Sequence, residues 1–175
     1  MRRRTRRCPA DLENPLPEAN QRVTDLFHKM AELLEIHGES PFRARAYRRA
    51  AIVISQLPDD VSAYDLTQLD SLPGVGKALA HQIREICETG RLQALAALEA
   101  MTGPGLLALA ALPGLGPKRI RLLQSRLDIT DCRGLARAAA AGRLRSLPLF
   151  SDRLEAALLR AASEAESSAA PLTGG

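Results

Sequence analysis

The chain has no tryptophan, two tyrosines and three phenylalanines, so aromatics make up only 3% of its 175 residues although 46% are hydrophobic. Its core must be built from Leu, Ala, Val and Ile. The three cysteines, Cys8, Cys87 and Cys132, are odd in number and too far apart for a zinc ligand pair, which argues against a disulfide framework and for a reduced, intracellular protein. The longest apolar run, residues 106–112, is far short of a membrane span. The N-terminal arginines lead into a polar, proline-containing stretch, so neither a secretory nor a twin-arginine signal fits. Runs of alternating β-branched residues are missing too. Apolar residues recur at i, i+3 and i+4, and the expected fold is all-α, made of short helices.

Charge is also scarce outside one segment. The formal net charge is +4, and Arg2, Arg3, Arg4, Arg6 and Arg7 account for more than all of it, leaving the rest of the chain close to neutral. Any nucleic-acid footprint must then be local, formed by the tail, by one arginine-rich helix and by the motifs that follow, and the affinity should be modest.

What the sequence does contain is a repeated phrase. Leu72-Pro73-Gly74-Val75-Gly76-Lys77 is followed 40 residues on by Leu112-Pro113-Gly114-Leu115-Gly116-Pro117-Lys118, and each copy runs into a helical apolar pattern, Leu79, Ala80 and Ile83 or Ile120, Leu122 and Leu123. Glycine permits positive φ and a close approach of backbone to another molecule, and a helix start offers unpaired N–H groups at a positive dipole end. Lys77 and Lys118 stand where an ammonium group can close over a phosphate, with Arg119 beside the second. A Walker loop needs four residues between its glycines, and a dinucleotide fingerprint needs a preceding strand and a third glycine. The preceding segments, residues 65–69 and 106–111, read instead as a short helix or turn. The unit is helix, hairpin, helix, and its chemistry suits nucleic-acid backbone.

Residues 1–16 read as a disordered basic arm. Val23, Leu26, Phe27, Met30, Leu33 and Leu34 form the stripe of a first helix from Glu18, ended by Gly38. Ser40 and Pro41 start a second, stopped at Leu57-Pro58, with Ala46, Ala50, Val53 and Ile54 expected inward and Arg43, Arg45, Arg48 and Arg49 outward without an interleaved acid. Ser62 and Asp65 resemble a capping box for the short helix before the first hairpin. Gly90 should end the helix after it, and another helix is expected over 91–101. Thr102-Gly103-Pro104-Gly105 is the clearest break, which divides the chain into a small domain over 17–102 and a second hairpin subdomain over 103–166. Asp131 should cap a helix closed by Gly142, and Ser151 should start the last one, with 167–175 a frayed tail. Leu147-Pro148-Leu149-Phe150-Ser151-Asp152 is a degenerate third hairpin with leucine and serine where the glycines would be, so its role should be packing.

The segments Pro41-Phe42-Arg43-Ala44-Arg45-Ala46-Tyr47-Arg48-Arg49-Ala50-Ala51, Leu72 to Lys77, Glu85 to Leu92 and the second hairpin together resemble the N-terminal part of family X DNA polymerases, the DNA polymerase beta-like group and especially its bacterial members, over about residues 18–165. The resemblance implies a small domain that holds the 5′-phosphate side of a gap and a helical DNA-binding subdomain, both gripping phosphates through Gly74, Val75, Gly76, Lys77, Gly114, Leu115, Gly116, Lys118 and Arg119, with Arg43, Tyr47 and Arg48 on the second helix. It also implies K+ or Na+ at the hairpins, on the backbone carbonyls of Asp70, Leu72 and Val75 and of Ala110, Leu112 and Leu115. No Asp-x-Asp occurs, so the metal-binding pair of the family's nucleotidyltransferase domain is missing and the chain should not polymerise DNA by itself. The family's lyase nucleophile position is Gln82, which cannot form an imine, and Ala78 stands where a basic residue is common. Of the three lysines, Lys29, Lys77 and Lys118, only Lys77 lies near the presumed pocket, so a 5′-deoxyribose-phosphate lyase would use Lys77 or the N-terminal amine. His28, His37 and His81 have no partner at ligand spacing, and of these His81 flanks the first hairpin's helix. The expected function is a non-catalytic, sequence-independent DNA-binding module of repair or DNA processing, cytoplasmic and nucleoid-associated. The alternatives are the lyase, and a helical adaptor that docks a separate polymerase or nuclease.

Overall fold

The computed structural model describes residues 16–169, with side chains of the last helix described to Glu164. The basic arm and the end of the expected tail therefore lie outside the described residues. Among those described there are nine α-helices and no strand: α1 (Glu18–Ile36), α2 (Pro41–Ser55), α3 (Leu66–Asp70), α4 (Lys77–Thr89), α5 (Gln93–Thr102), α6 (Pro104–Ala110), α7 (Pro117–Leu127), α8 (Cys132–Ala140) and α9 (Asp152–Ala169). The all-α expectation holds. Residues 167–169, expected in the frayed tail, belong to α9. No single described helix is long and apolar enough to cross a membrane.

The helices form two compact units, one of residues up to Phe27 with Arg48–Leu92, the other of His28–Tyr47 with Gln93 onward. The first hairpin belongs to the former, the second hairpin and the degenerate third to the latter. α5 and α6 both lie in the second unit and meet at a bend of 106°, where Gly103 takes φ +78; the change of unit comes earlier, between Leu92 and Gln93.

In the first unit the packing is closed by a buried amide. Asn20 on α1 is fully buried; its Nδ2 donates to the carbonyls of Ile54, Leu57 and Asp59, and its Oδ1 accepts from Val61 N at 2.8 Å. One side chain thus spans the end of α2 and the start of the next turn, its two N–H groups shared among three carbonyls of which Ile54 O also accepts from Leu57 N. The buried positions of α2 here are Ala50, Ala51 and Ile54, while Val53 is only half-buried. Small residues at 50 and 51 let α1 approach closely enough for Thr24 Oγ1 to reach Ala51 O. The capping box lies three residues beyond the expected one. Asp65 accepts from Gln68 N and Gln68 returns a bond to Asp65 N, both at 2.8 Å, because Asp60 and not Ser62 caps the preceding 3-10 turn.

In the second unit, Ala44 and Tyr47 are the buried positions of α2, and Ala46, expected inward, is exposed. The apolar spacing was ambiguous between two faces one residue apart, and the tyrosine ring decides it, since it carries more apolar area than an alanine methyl. Asp131 caps α8 through Gly134 N at 2.6 Å. Glu155 of α9, 4% exposed, accepts from Leu144 N at 2.9 Å and from Arg145 Nε at 3.1 Å, fixing the turn before the third hairpin.

Removing the amide in Asn20→Ala leaves Val61 N–H and the carbonyls of Leu57 and Asp59 without this partner, while Ile54 O keeps Leu57 N, so unfolding free energy in urea should drop by about 2–4 kcal/mol. An unchanged midpoint would show that water replaces it.

Candidate nucleic-acid interface

Both repeats fold into the same turn. Val75 N donates to Leu72 O at 3.0 Å and Leu115 N to Leu112 O at 3.1 Å, with proline second in the turn and glycine third, at φ +78 for Gly74 and +83 for Gly114. This is the type II pattern: proline presets the second residue and the third requires positive φ. The turn then directs the next residue inward. Val75 is 3% exposed and Leu115 2%. Their side chains plug the core and their amides are consumed by the turn, so both leave the set of expected DNA contacts.

What remains outside is the second glycine of each pair. Gly76 and Gly116 are the N-caps of α4 and α7, in ordinary extended conformation (φ −95 and −80), with no side-chain cap, and a Cβ at either would meet nothing within 4 Å. The side of each helix start where a cap side chain would stand is therefore open, at a positive dipole end; on α7 the amide left over is that of Lys118, since Pro117 has no N–H and Arg119 N turns back to Gly116 O at 2.9 Å. Lys77 and Lys118 are both exposed, but Lys77 is the first residue of α4 and Lys118 the second of α7, because Pro117 takes the first position. The two ammonium groups leave their helices about 100° apart in angular register.

Arginines brace the turns. The Arg49 stem lies against Gly74, where a Cβ would come within 2.7 Å of Arg49 Cδ, which makes Arg49 the arginine of α2 beside the first hairpin. Composition had not distinguished it from Arg43, Arg45 and Arg48. At the second hairpin, Arg119 donates from one Nη to Gly114 O and from Nε to Leu149 O, both at 2.9 Å, so it ties two turns together instead of standing free for phosphate. Arg43 is paired with Glu39 at 2.9 Å, Arg48 is half-buried, and Arg45 stacks over the exposed Phe42 ring at 5.2 Å. Tyr47, 6% exposed, is a core residue and not a surface phosphate ligand.

Beside the first hairpin, Leu66, Thr67, Asp70, Lys77, Ala80 and His81 line an open cavity of about 240 Å³. Lys77 and His81 share it because they are one turn apart on α4. Gln82 lies off this cavity's lining, with its Oε1 buried and without a hydrogen-bond partner. No cluster of three or more His, Cys, Asp or Glu that could hold a metal occurs among the described residues. Burial pushes the Cys87 thiol above its ordinary range, which keeps it protonated and poorly nucleophilic at neutral pH.

The third hairpin is a true turn. Phe150 N donates to Leu147 O at 3.4 Å, and Leu149 occupies the glycine position at φ +72. Ser151, in place of the N-cap glycine, donates no space to an anion; its Oγ accepts from Leu154 N at 3.3 Å. The packing role expected for this copy is consistent with the cap it fills and the brace it shares with Arg119.

The arrangement is that of a helix-hairpin-helix domain, and residues 18–92 match the family model described as "Helix-hairpin-helix domain". Among curated proteins the chain is similar to DNA polymerase/3′-5′ exonuclease PolX of Bacillus subtilis, 33% identical over 143 residues, which is 82% of this chain and 25% of that protein. It is also similar to DNA polymerase lambda of Arabidopsis thaliana, 37% identical over 79 residues (45% of this chain, 14% of that protein), and of Rattus norvegicus, 28% identical over 123 residues (69% and 21%). The chain is thus similar to family X DNA polymerases, and it spans about a quarter or less of the length of each. The similarity to PolX is longer than the matched domain and so extends past it.

The two glycines of a pair should separate in experiment. Gly74→Ala forces a side chain into positive φ and against Arg49, at a cost of about 1–2 kcal/mol in stability, part of which Arg49→Ala restores in the double variant. Gly76→Ala meets no clash and no positive φ, so it should cost only the weaker N-cap preference of alanine, about 0.5 kcal/mol, which Arg49→Ala does not restore. Equal loss of stability in both would show that the two positions are not divided in this way.

Proposed function

We propose that the chain grips DNA through backbone phosphates without reading sequence, in repair or another DNA-processing step. The observation that carries this is the bare N-cap: Gly76 and Gly116 give their helices no side-chain cap and leave the space beside it empty, with an exposed lysine at the first position of α4 and the second of α7. A phosphate fits there by charge and by hydrogen bonding, and such contacts set position without carrying base information. Each hairpin works from its own unit. The near-neutral body matches a local grip and not a uniformly basic surface.

A 5′-phosphorylated gap is the preferred form in this reading. A terminal phosphate carries up to one more negative charge than an internal diester and so gains more from Lys77 and the α4 N-terminus. K+ or Na+ on the carbonyls of Asp70, Leu72 and Val75, and of Ala110, Leu112 and Leu115, would complete each grip. The donor set fits a weakly held hard cation: all six groups are neutral oxygens, and Leu72 O and Leu112 O keep one lone pair beyond the turn bond. When bound, the ion adds positive charge beside the phosphate. Chemistry on the DNA is left to a separate polymerase or nuclease, and the setting is cytoplasmic, at the nucleoid.

Lyase activity is the second reading, favoured by Lys77 and His81 lining one cavity. There the amine would add to the sugar aldehyde and expel water to form an imine, with His81 moving the proton. Borohydride trapping on an incised abasic substrate decides it: an adduct lost in Lys77→Ala supports the lyase, and no adduct removes it.

If the hairpins neutralise two to four phosphates, log K against log salt should fall with a slope of about −2 to −4, and Gly76→Val with Gly116→Val should weaken all sequences alike. A flat salt response, or full affinity in the double variant, would sink the phosphate grip.

A further inference from the structure

Leu149 combines two unfavourable features. It is a bulky non-glycine residue at φ +72, and it is 56% exposed. Among the described residues the other non-glycine at positive φ is Asp128, at a helix C-cap where a short polar side chain is tolerated. The equivalent positions of the first two hairpins are glycine. A glycine at 149 would relieve the backbone strain and remove an exposed apolar side chain, so the fold gains nothing from leucine there. Backbone strain that folding does not need points to a contact outside the chain.

The surroundings say what contact. Leu149 forms one wall of an open groove of about 320 Å³ whose other lining residues are Lys118, Arg121, Leu122 and Ser125 of α7. These four fall at i, i+3, i+4 and i+7, one stripe of the helix. The groove therefore has cations along one side, an apolar floor at Leu122 and Leu149, a hydroxyl at its far end and no carboxylate among its lining residues. Arg119 holds the Leu149 carbonyl at 2.9 Å, which fixes the tip against α7. Lys118 is also the second residue of α7 behind the N-cap glycine, so the groove and the second hairpin share this cation.

We infer that this groove is a subsite for an unpaired nucleotide next to the gripped duplex, its phosphates on Lys118 and Arg121 and its base against Leu122 and Leu149. This rests on the phosphate grip proposed above and names the DNA form it selects. A paired base cannot offer its face to Leu149, whereas an unstacked one can, and apolar contact with a base face is tolerant of sequence.

The experiment compares continuous duplex with the same duplex carrying a one-nucleotide unpaired position filled by 2-aminopurine, using the full chain and Leu149→Gly, Leu149→Asn and Leu149→Met. The wild type should bind the unpaired form about five- to tenfold tighter than duplex, as expected for one apolar side chain's burial, with a change in 2-aminopurine fluorescence. Leu149→Gly should unfold at the same or a higher temperature, keep duplex affinity, and lose both the preference and the fluorescence change. Leu149→Asn, which tolerates positive φ, should do likewise, and Leu149→Met should retain part of the preference. A preference unchanged in Leu149→Gly overturns the subsite. So does a wild type that binds duplex and unpaired DNA alike, which leaves the hairpin grip standing and assigns the groove to a protein contact. No binding to any DNA removes both.

Discussion

The positive φ of the third turn residue is the constraint on which the rest of this structure depends. With proline second and a left-handed residue third, the chain reverses within four residues, drives the next side chain into the core and leaves the residue after that at a helix start. Val75 and Leu115 are buried, and Gly76 and Gly116 are left as bare caps, by one and the same geometry. The third copy shows how firmly this is imposed. Leu149 adopts φ +72 in spite of a strain on the order of 1–2 kcal/mol, because Leu147 and Phe150 close the same hydrogen bond around it.

The two glycines of a pair therefore answer to different demands. Gly74 and Gly114 serve the backbone and the neighbours packed on them, Arg49 in one unit and the Leu154 methyl in the other. Gly76 and Gly116 have no neighbour where a side chain would stand, and only their carbonyls are used, by the first turn of each helix. The arginines divide similarly: Arg49 and Arg119 stiffen turns, so the charge next to the open amides falls to Lys77 and Lys118. A chain with three lysines places two of them there.

Most of the helices were legible because their signals are local. Gly38, Gly90 and Gly142 end helices at positive φ, Pro41 and Asp131 begin them, and the hairpin phrase repeats with its flanks. Non-local facts were not legible. Nothing in the spacing of Arg43, Arg45, Arg48 and Arg49 says which one reaches Gly74, since that depends on the path of the chain between α2 and α3. Tyr47 read as a surface ligand by analogy, and burial of its ring could only be seen once α2 was placed. The capping box shifted from Ser62 to Asp65 because Asp60 competes for the same turn; its bonds to Ser62 hold its carboxyl below the ordinary range. The division into units also escaped, because α1 and α2 each contribute to both.

Function shows at the positions where the residue present is worse for the fold than an obvious substitute. Three helices start on side-chain caps, Asp65 for α3, Asp131 for α8 and Ser151 for α9, and α6 starts on Gly103, whose φ of +78 calls for glycine on backbone grounds. At α4 and α7 the chain uses glycine, although serine or aspartate would satisfy an orphan amide and stabilise the helix by a few tenths of a kcal/mol or more. Aspartate there would also put a negative charge where a phosphate must come, and serine would fill the space with its own hydroxyl, as Ser151 does. Glycine leaves donor, dipole and room together, which a folding argument does not require and an anion does. The same reasoning, with the sign of the substitution reversed, applies at Leu149, where glycine suits the fold and leucine stands instead.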